Sequence, residues 1–273
     1  MFAVDPPGRY RLSDAPLVQA LAQVRFPISA RLATVEGIAP VQEGLRARYP
    51  YMAQHQQMSF EFGDRVTPDL RGGFSWELKD DAGWAVVIAP DSATLSVGSA
   101  YSGVEEFAER FEELVEVLVD VERVPRCDRL GVRYVSVAET APGDEQAWRA
   151  WFRPDLIGWV GGEVLGDTAV LSAINQVQLS TAASTRFEGA PAVQALIRHG
   201  LVPAGSTIPG SPPITTVAVS YILDLDVSVE APQAFAAGSL VGQFADLHGQ
   251  IDGFFRWTLT PDGTAHFGLE ETR

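Results

Sequence analysis

A chain of 273 residues with 46% hydrophobic and 20% charged side chains is long and apolar enough to bury a substantial core, which excludes wholesale disorder. No run of about 18 apolar residues is present to span a membrane. A single cysteine, Cys127, excludes both a disulfide framework and a thiolate-built zinc site. The formal charge of −15 repels nucleic acid at long range and weighs against DNA or RNA as a partner. The opening Met1-Phe-Ala-Val-Asp-Pro-Pro-Gly8 has neither the basic nor the apolar stretch of a secretory leader, so the expected location is the cytoplasm.

Residues 1–16 are rich in proline and polar side chains and read as an extended arm. Leu17 to Ile28 alternates from Ala20 onward as a strand does and is closed by Pro27. Ile38 to Tyr49 reads as a short helix stopped by Pro50. Strand-like runs follow at Met58–Phe62 or Phe74–Lys79, at Trp84–Ala89 and at Thr94–Gly98. Asp80-Asp81-Ala82-Gly83 is a hairpin turn between two of them. The spacing of Val104, Phe107, Phe111, Leu114, Val115, Leu118 and Val121 predicts a helix to about Glu122, with glutamates on the other face. Ser102 and Glu105 stand ahead of it as a capping box.

A second series begins after Pro125. Arg129 to Val137 is a strand, and Asp144 to Phe152 is a short helix with Asp144 as N-cap. Val170–Leu179 and Thr215–Val229 are strand-rich. Ala190–His199 fits helix or strand, and Val202–Pro213 is a Gly-Ser-Pro loop, so the structure of 190–214 stays open. A long helix runs from about Leu240 to Trp257 on the stripe Leu240, Phe244, Leu247, Ile251 and Phe254.

Both series have one order: strand, short helix, several strands, long amphipathic helix. Val24-Arg25-Phe26 in one corresponds to Val132-Arg133-Tyr134 in the other. The expected fold is α+β. Two tandem β-α-β-β-β-α-like units would form a large, curved, mostly antiparallel sheet with two long helices on one face. The arm (1–16) and the halves 17–124 and 125–273 would pack as one globular unit.

Three stretches carry a resemblance: PLVQALAQVRFP at Pro16–Pro27, CDRLGVRYVSV at Cys127–Val137, and LHGQIDGFFRWTLTPDGTAHFG at Leu247–Gly268. Together they resemble a sporadically distributed bacterial family of uncharacterised proteins of about this length. The L-H, aromatic-pair and T-x-x-G-x-x-x-F-G signature is the most specific part. The resemblance implies a whole protein and, from its patchy distribution, an accessory role such as defence. It transfers no catalytic residue.

Three constellations carry potential chemistry. His248 and Asp252 lie four apart on the last helix, and His266 follows a turn at Thr260–Gly263. A carboxylate-oriented histidine pair is the raw material of a general acid/base or a metal-assisted hydrolase. The competing reading buttresses His248 against Phe244, Ile251 and Phe255. Cys127 is flanked by Arg126 and Arg129 but has no histidine near it in sequence, which favours a buried inert thiol.

Arg129 and Arg133 share one face of their strand, and Arg25 takes the equivalent place in the first series. Guanidinium groups related by a pseudo-twofold would fork onto an anionic ligand; the ordinary alternative is pairing with the protein's own acids. Phosphate-loop, nucleophile-elbow and metal-ligand motifs are missing. The aromatic residues, Trp159 among them, have core-face spacing. The expectation is therefore a non-enzymatic α+β binding protein for a protein partner or small anionic ligand, without cofactor or metal. Open sheet edges and the Trp-containing C-terminal segment invite a homodimer. The alternatives are the His248/Asp252/His266 hydrolase and an acidic nucleic-acid mimic.

Overall fold

The computed structural model describes residue 2 and residues 10–56, 74–144, 146–166, 168–182, 191–210 and 212–271. In chain order the elements begin β1 (Tyr10–Leu12), β2 (Leu17–Arg25), α1 (Val35–Leu45), β3 (Tyr51–Gln56), β4 (Phe74–Lys79), β5 (Trp84–Ala89), β6 (Ser92–Val97) and α2 (Val104–Val117). Next come β7 (Arg126–Cys127), β8 (Arg129–Glu139), α3 (Trp148–Trp151), α4 (Pro154–Ile157), β9 (Ala173–Ser180), β10 (Val193–Val202), β11 (Thr207–Ile208) and β12 (Ile214–Thr215). The chain continues through β13 (Ser220–Val229), β14 (Gln233–Ala234), α5 (Ala237–Thr258), α6 (Pro261–His266) and β15 (Leu269–Glu271). Of the two places expected for one strand, Phe74–Lys79 is β4, and Met58–Phe62 lies outside the described residues; β3 precedes both.

The fold is α+β. Nine strands form an antiparallel sheet in the order β3-β4-β5-β6-β2-β8-β13-β10-β9. Its centre is the β2–β8 pair, where Asp128 N–H donates to Arg25 O at 2.7 Å and Val137 N–H to Pro16 O at 2.8 Å, both in one antiparallel register. Outward from that pair the chain steps back strand by strand: β6, β5, β4, β3 on one side and β13, β10, β9 on the other. Contacts divide the chain into two compact units, 1–20 with 132–229 and 245–273, and 21–131 with 230–244, so β2, β8 and α5 each serve both.

In the unit that holds β3, helix α2 buries Phe107, Phe111, Leu114 and Val115, each worth about 1.5–3 kcal/mol when removed from water. Phe244, from the first turns of α5, stacks on Phe111 and meets Phe107 edge-on, both at 5.2 Å. The two long helices thus meet through one ring. The N-cap differs from expectation. Gly103 (φ 153°) occupies it, and Ser102 Oγ bonds the Glu106 carboxylate at 2.5 Å, so no capping box forms. The expected hairpin turn is present, with Asp80 Oδ1 accepting from Ala82 and Trp84 N–H.

In the unit that holds β9, the segment 190–214 resolves into β10 and a small flap, β11 paired with β12. Ile208 of the flap packs with Val135, Val137, Val202 and Ile222. On another cluster Trp148, Trp151, Phe152, Leu201, Tyr221 and Phe267 pack together. The helix expected from Asp144 shrinks to one turn, α3, whose N-cap position is Ala147. Gly200 (φ 146°) is required where β10 meets β9, because a Cβ there would lie 1.7 Å from the Ala173 carbonyl oxygen.

Candidate functional site

The three arginines singled out by sequence fall into different surroundings. Arg133 is buried on β8 and forks onto Asp224 of β13, with Nε and Nη2 donating to the two carboxylate oxygens at 2.7 and 2.9 Å. Nη2 also reaches the Pro209 carbonyl of the flap at 2.7 Å. Arg198, one strand over on β10, adds an Nη1 contact to the same carboxylate at 3.3 Å and bonds Gln176 of β9 through Nε at 2.9 Å. Two guanidinium groups thus converge on one carboxylate that is almost wholly enclosed. Arg129 pairs with Glu230 at 3.4 Å. Arg25 is exposed and bonds Gln23. The protein's own acids occupy Arg129 and Arg133, so an anion offered to these side chains competes with charge-assisted bonds already made.

The carboxylate–histidine constellation is only partly assembled. Asp252 accepts from the Tyr10 hydroxyl at 2.5 Å, and burial pushes its carboxyl upward against that bond and the nearby His248. His248 faces the Tyr134 ring at 5.5 Å. His266 lies flat on Trp151, centroids 4.0 Å apart, and touches Phe267. The histidine of α6 is thus spent on ring stacking. Among the described residues no group of three or more His, Cys, Asp and Glu is placed to hold a metal ion.

Two further titratable groups are sealed in. Cys127 donates its S–H to the Arg129 carbonyl at 3.1 Å, and burial pushes the thiol up to about 11, the opposite of what a thiolate nucleophile needs. His199 of β10 bonds the Tyr221 hydroxyl through Nδ1 at 2.9 Å. Burial lowers the imidazole and raises the phenol, which keeps both neutral.

The outermost strand is the reverse. β9 (AINQVQLS) carries no charged residue, and Ile174, Val177 and Leu179 are 51%, 42% and 37% exposed. Thr181 N–H bonds Val193 O in the register that also pairs Leu179 with Ala195 and Val177 with Ile197. In an antiparallel ladder alternate residues turn their backbone groups to the same neighbour. The odd-numbered residues of β9 therefore bond β10, and Ile174, Gln176, Gln178 and Ser180 turn their N–H and C=O groups outward. Among the described residues no strand pairs with that edge.

Beside the start of β9 lies an open hollow of about 580 Å³ lined by Trp159, Val160, Leu165, Val170, Leu171 and Ile174. Trp159, expected in the core from its spacing, is 71% exposed there, and Leu171 is 79% exposed. It sits in a short 3-10 turn after α4, where no strand or long helix imposes a buried face. Sequence reasoning missed this surface because alternation identifies a strand but not its place in a sheet. The lack of charge over 173–180 was the available signal. No helix among the described residues is long and apolar enough to cross a membrane. No family model matches the chain, and no curated protein matches it.

Proposed function

We propose that this chain is a non-enzymatic binding module that takes up an extended segment of a protein partner along the outer edge of β9. One observation carries the reading. Four residues of an uncharged terminal strand offer outward backbone donors and acceptors, next to an open hollow of mixed apolar and polar lining that would accept a side chain. Strand addition works in this way, main-chain bonds giving affinity and an adjacent pocket giving selectivity. The enclosure of Asp224, His199, Tyr221 and Cys127 supports binding over catalysis, since each is engaged within the fold.

The mirrored strand order on either side of β2–β8 supports an internal duplication. The three stretches that resemble the sporadic bacterial family fall in β2, in β7–β8 and from α5 to α6, all framework. A shared scaffold serving an accessory, cytoplasmic role is part of the proposal.

Panning a library of random ten-residue peptides against the protein tests it. Binders should be uncharged, with apolar residues at alternate positions. Gln178→Pro should weaken them about tenfold or more, because it removes an outward N–H without touching the β10 ladder. His248→Ala should leave them unchanged. Failure to enrich any peptide on protein that is monomeric, or equal binding to Gln178→Pro, would refute strand addition.

A further inference from the structure

From the same edge we infer that its occupant is a second copy of this chain, with β9 pairing antiparallel to β9 about a twofold axis through Val177; this rests on the strand-addition reading above. The register follows from which groups point outward. Hydrogen-bonded pairs across the new interface must join outward-facing residues, which are Ile174, Gln176, Gln178 and Ser180. Centring on Val177 sets Ile174 against Ser180 and Gln176 against Gln178, twice over by symmetry. It is the register in which all four find a partner, each giving and accepting one bond. Centring on Gln176 or Gln178 strands at least one of them.

The side chains agree with that axis. Val177 meets its own copy at the close, non-hydrogen-bonded spacing where β-branched side chains pack best. On the other side of the strand Gln176, whose side-chain carbonyl accepts from Arg198, still has its amide NH2 to offer the facing Gln178 carbonyl. Charge also raises no barrier at this edge. Two molecules each carrying −15 repel on approach, and β9 contributes no charge where they would touch. Edge strands that avoid partners use lysine, proline, bulges or inward charges, and β9 has none of these. A closed twofold pairing uses the β9 edge of both chains and leaves no further β9 free, so pairing at this edge stops at two.

Sedimentation equilibrium on the intact protein from low to high micromolar concentration decides the matter. Wild type should approach twice the 29.5 kDa chain mass. Gln178→Pro should raise the dimer dissociation constant roughly 30-fold or more, since symmetry removes two bonds at once. Val177→Lys, which sets two ammonium groups face to face, should do likewise; both variants should keep the melting temperature of wild type diluted to monomer. A wild type that stays at 29.5 kDa throughout, or a dimer equally stable in both variants, would overturn the inference. If the wild type is monomeric while panned peptides still bind and Gln178→Pro abolishes them, the second copy fails alone. If neither dimer nor peptide is found, the strand-addition reading fails with it.

Discussion

Strands β8, β13 and β10 hold Arg133, Asp224, Arg198, His199 and Tyr221 in bonds to one another or to the flap. One strand further out, β9 has no ionisable side chain and exposes three apolar ones. Both regions belong to one unit and one sheet. The inner strands use polar chemistry to fix their own arrangement, and the outer strand offers backbone and apolar surface to something else. A catalytic sheet would invert this, with perturbed groups facing an open cleft and an inert rim. The distribution is that of a scaffold with an adhesive edge.

Breaking the inner network should have the largest effect. Asp224→Ala leaves Arg133 enclosed without its counter-charge and should cost about 3–5 kcal/mol of folding stability, read from urea unfolding. Loss below 1 kcal/mol would mean that the pair is hydrated and the contrast between inner and outer strands overstated. Gly200→Ala comes next. It forces an L side chain into a left-handed backbone against the Ala173 carbonyl and should cost about 1–3 kcal/mol. Its damage should be concentrated where β9 meets β10, visible as faster amide exchange at the start of β9.

Much of this arrangement is readable from residue order, and the unreadable parts have physical causes. Helices α2 and α5 follow from apolar spacing because each buries one stripe. Strands β2 and β8 follow from alternation and sit at the sheet's centre. The ordinary alternative for the arginines, pairing with the protein's own acids, describes Arg129 and Arg133. Strand β10 was ambiguous because VQALIRHG suits either period, and what settles it is a neighbouring strand on both sides. Strand β3 escaped notice because an outer strand exposed along its described side chains has no buried face to alternate with. Ser102 failed as a cap because Glu106 captured its hydroxyl, a choice between two nearby acceptors that composition does not make. His266 looked like half of a histidine pair until the fold laid it on Trp151.

A smaller effect tests the neutrality of the sealed groups through pH. The His199 imidazole is lowered by burial, so the unfolded chain takes up a proton that the folded one refuses. Stability should be full above the unfolded histidine value of about 6.5 and fall as pH drops through it, by at most about 1.4 kcal/mol per pH unit. His199→Gln should flatten that part of the profile when ΔG is measured between pH 7.5 and 5. A profile unchanged by the substitution would mean that the imidazole is hydrated. Smallest of all is Arg25→Ala, on the exposed end of β2, expected to shift stability by no more than about 0.5 kcal/mol and to leave dimer mass unchanged.

The most direct measurement is residue-resolved amide exchange along β9 at two protein concentrations. Asn175, Val177 and Leu179, bonded to β10, should exchange slowly at both. Gln176, Gln178 and Ser180 should exchange quickly in dilute solution and become protected at high concentration, with Gln178→Pro erasing the change at its neighbours. Outward amides that stay fast at every concentration and in the presence of any selected peptide would contradict an adhesive edge.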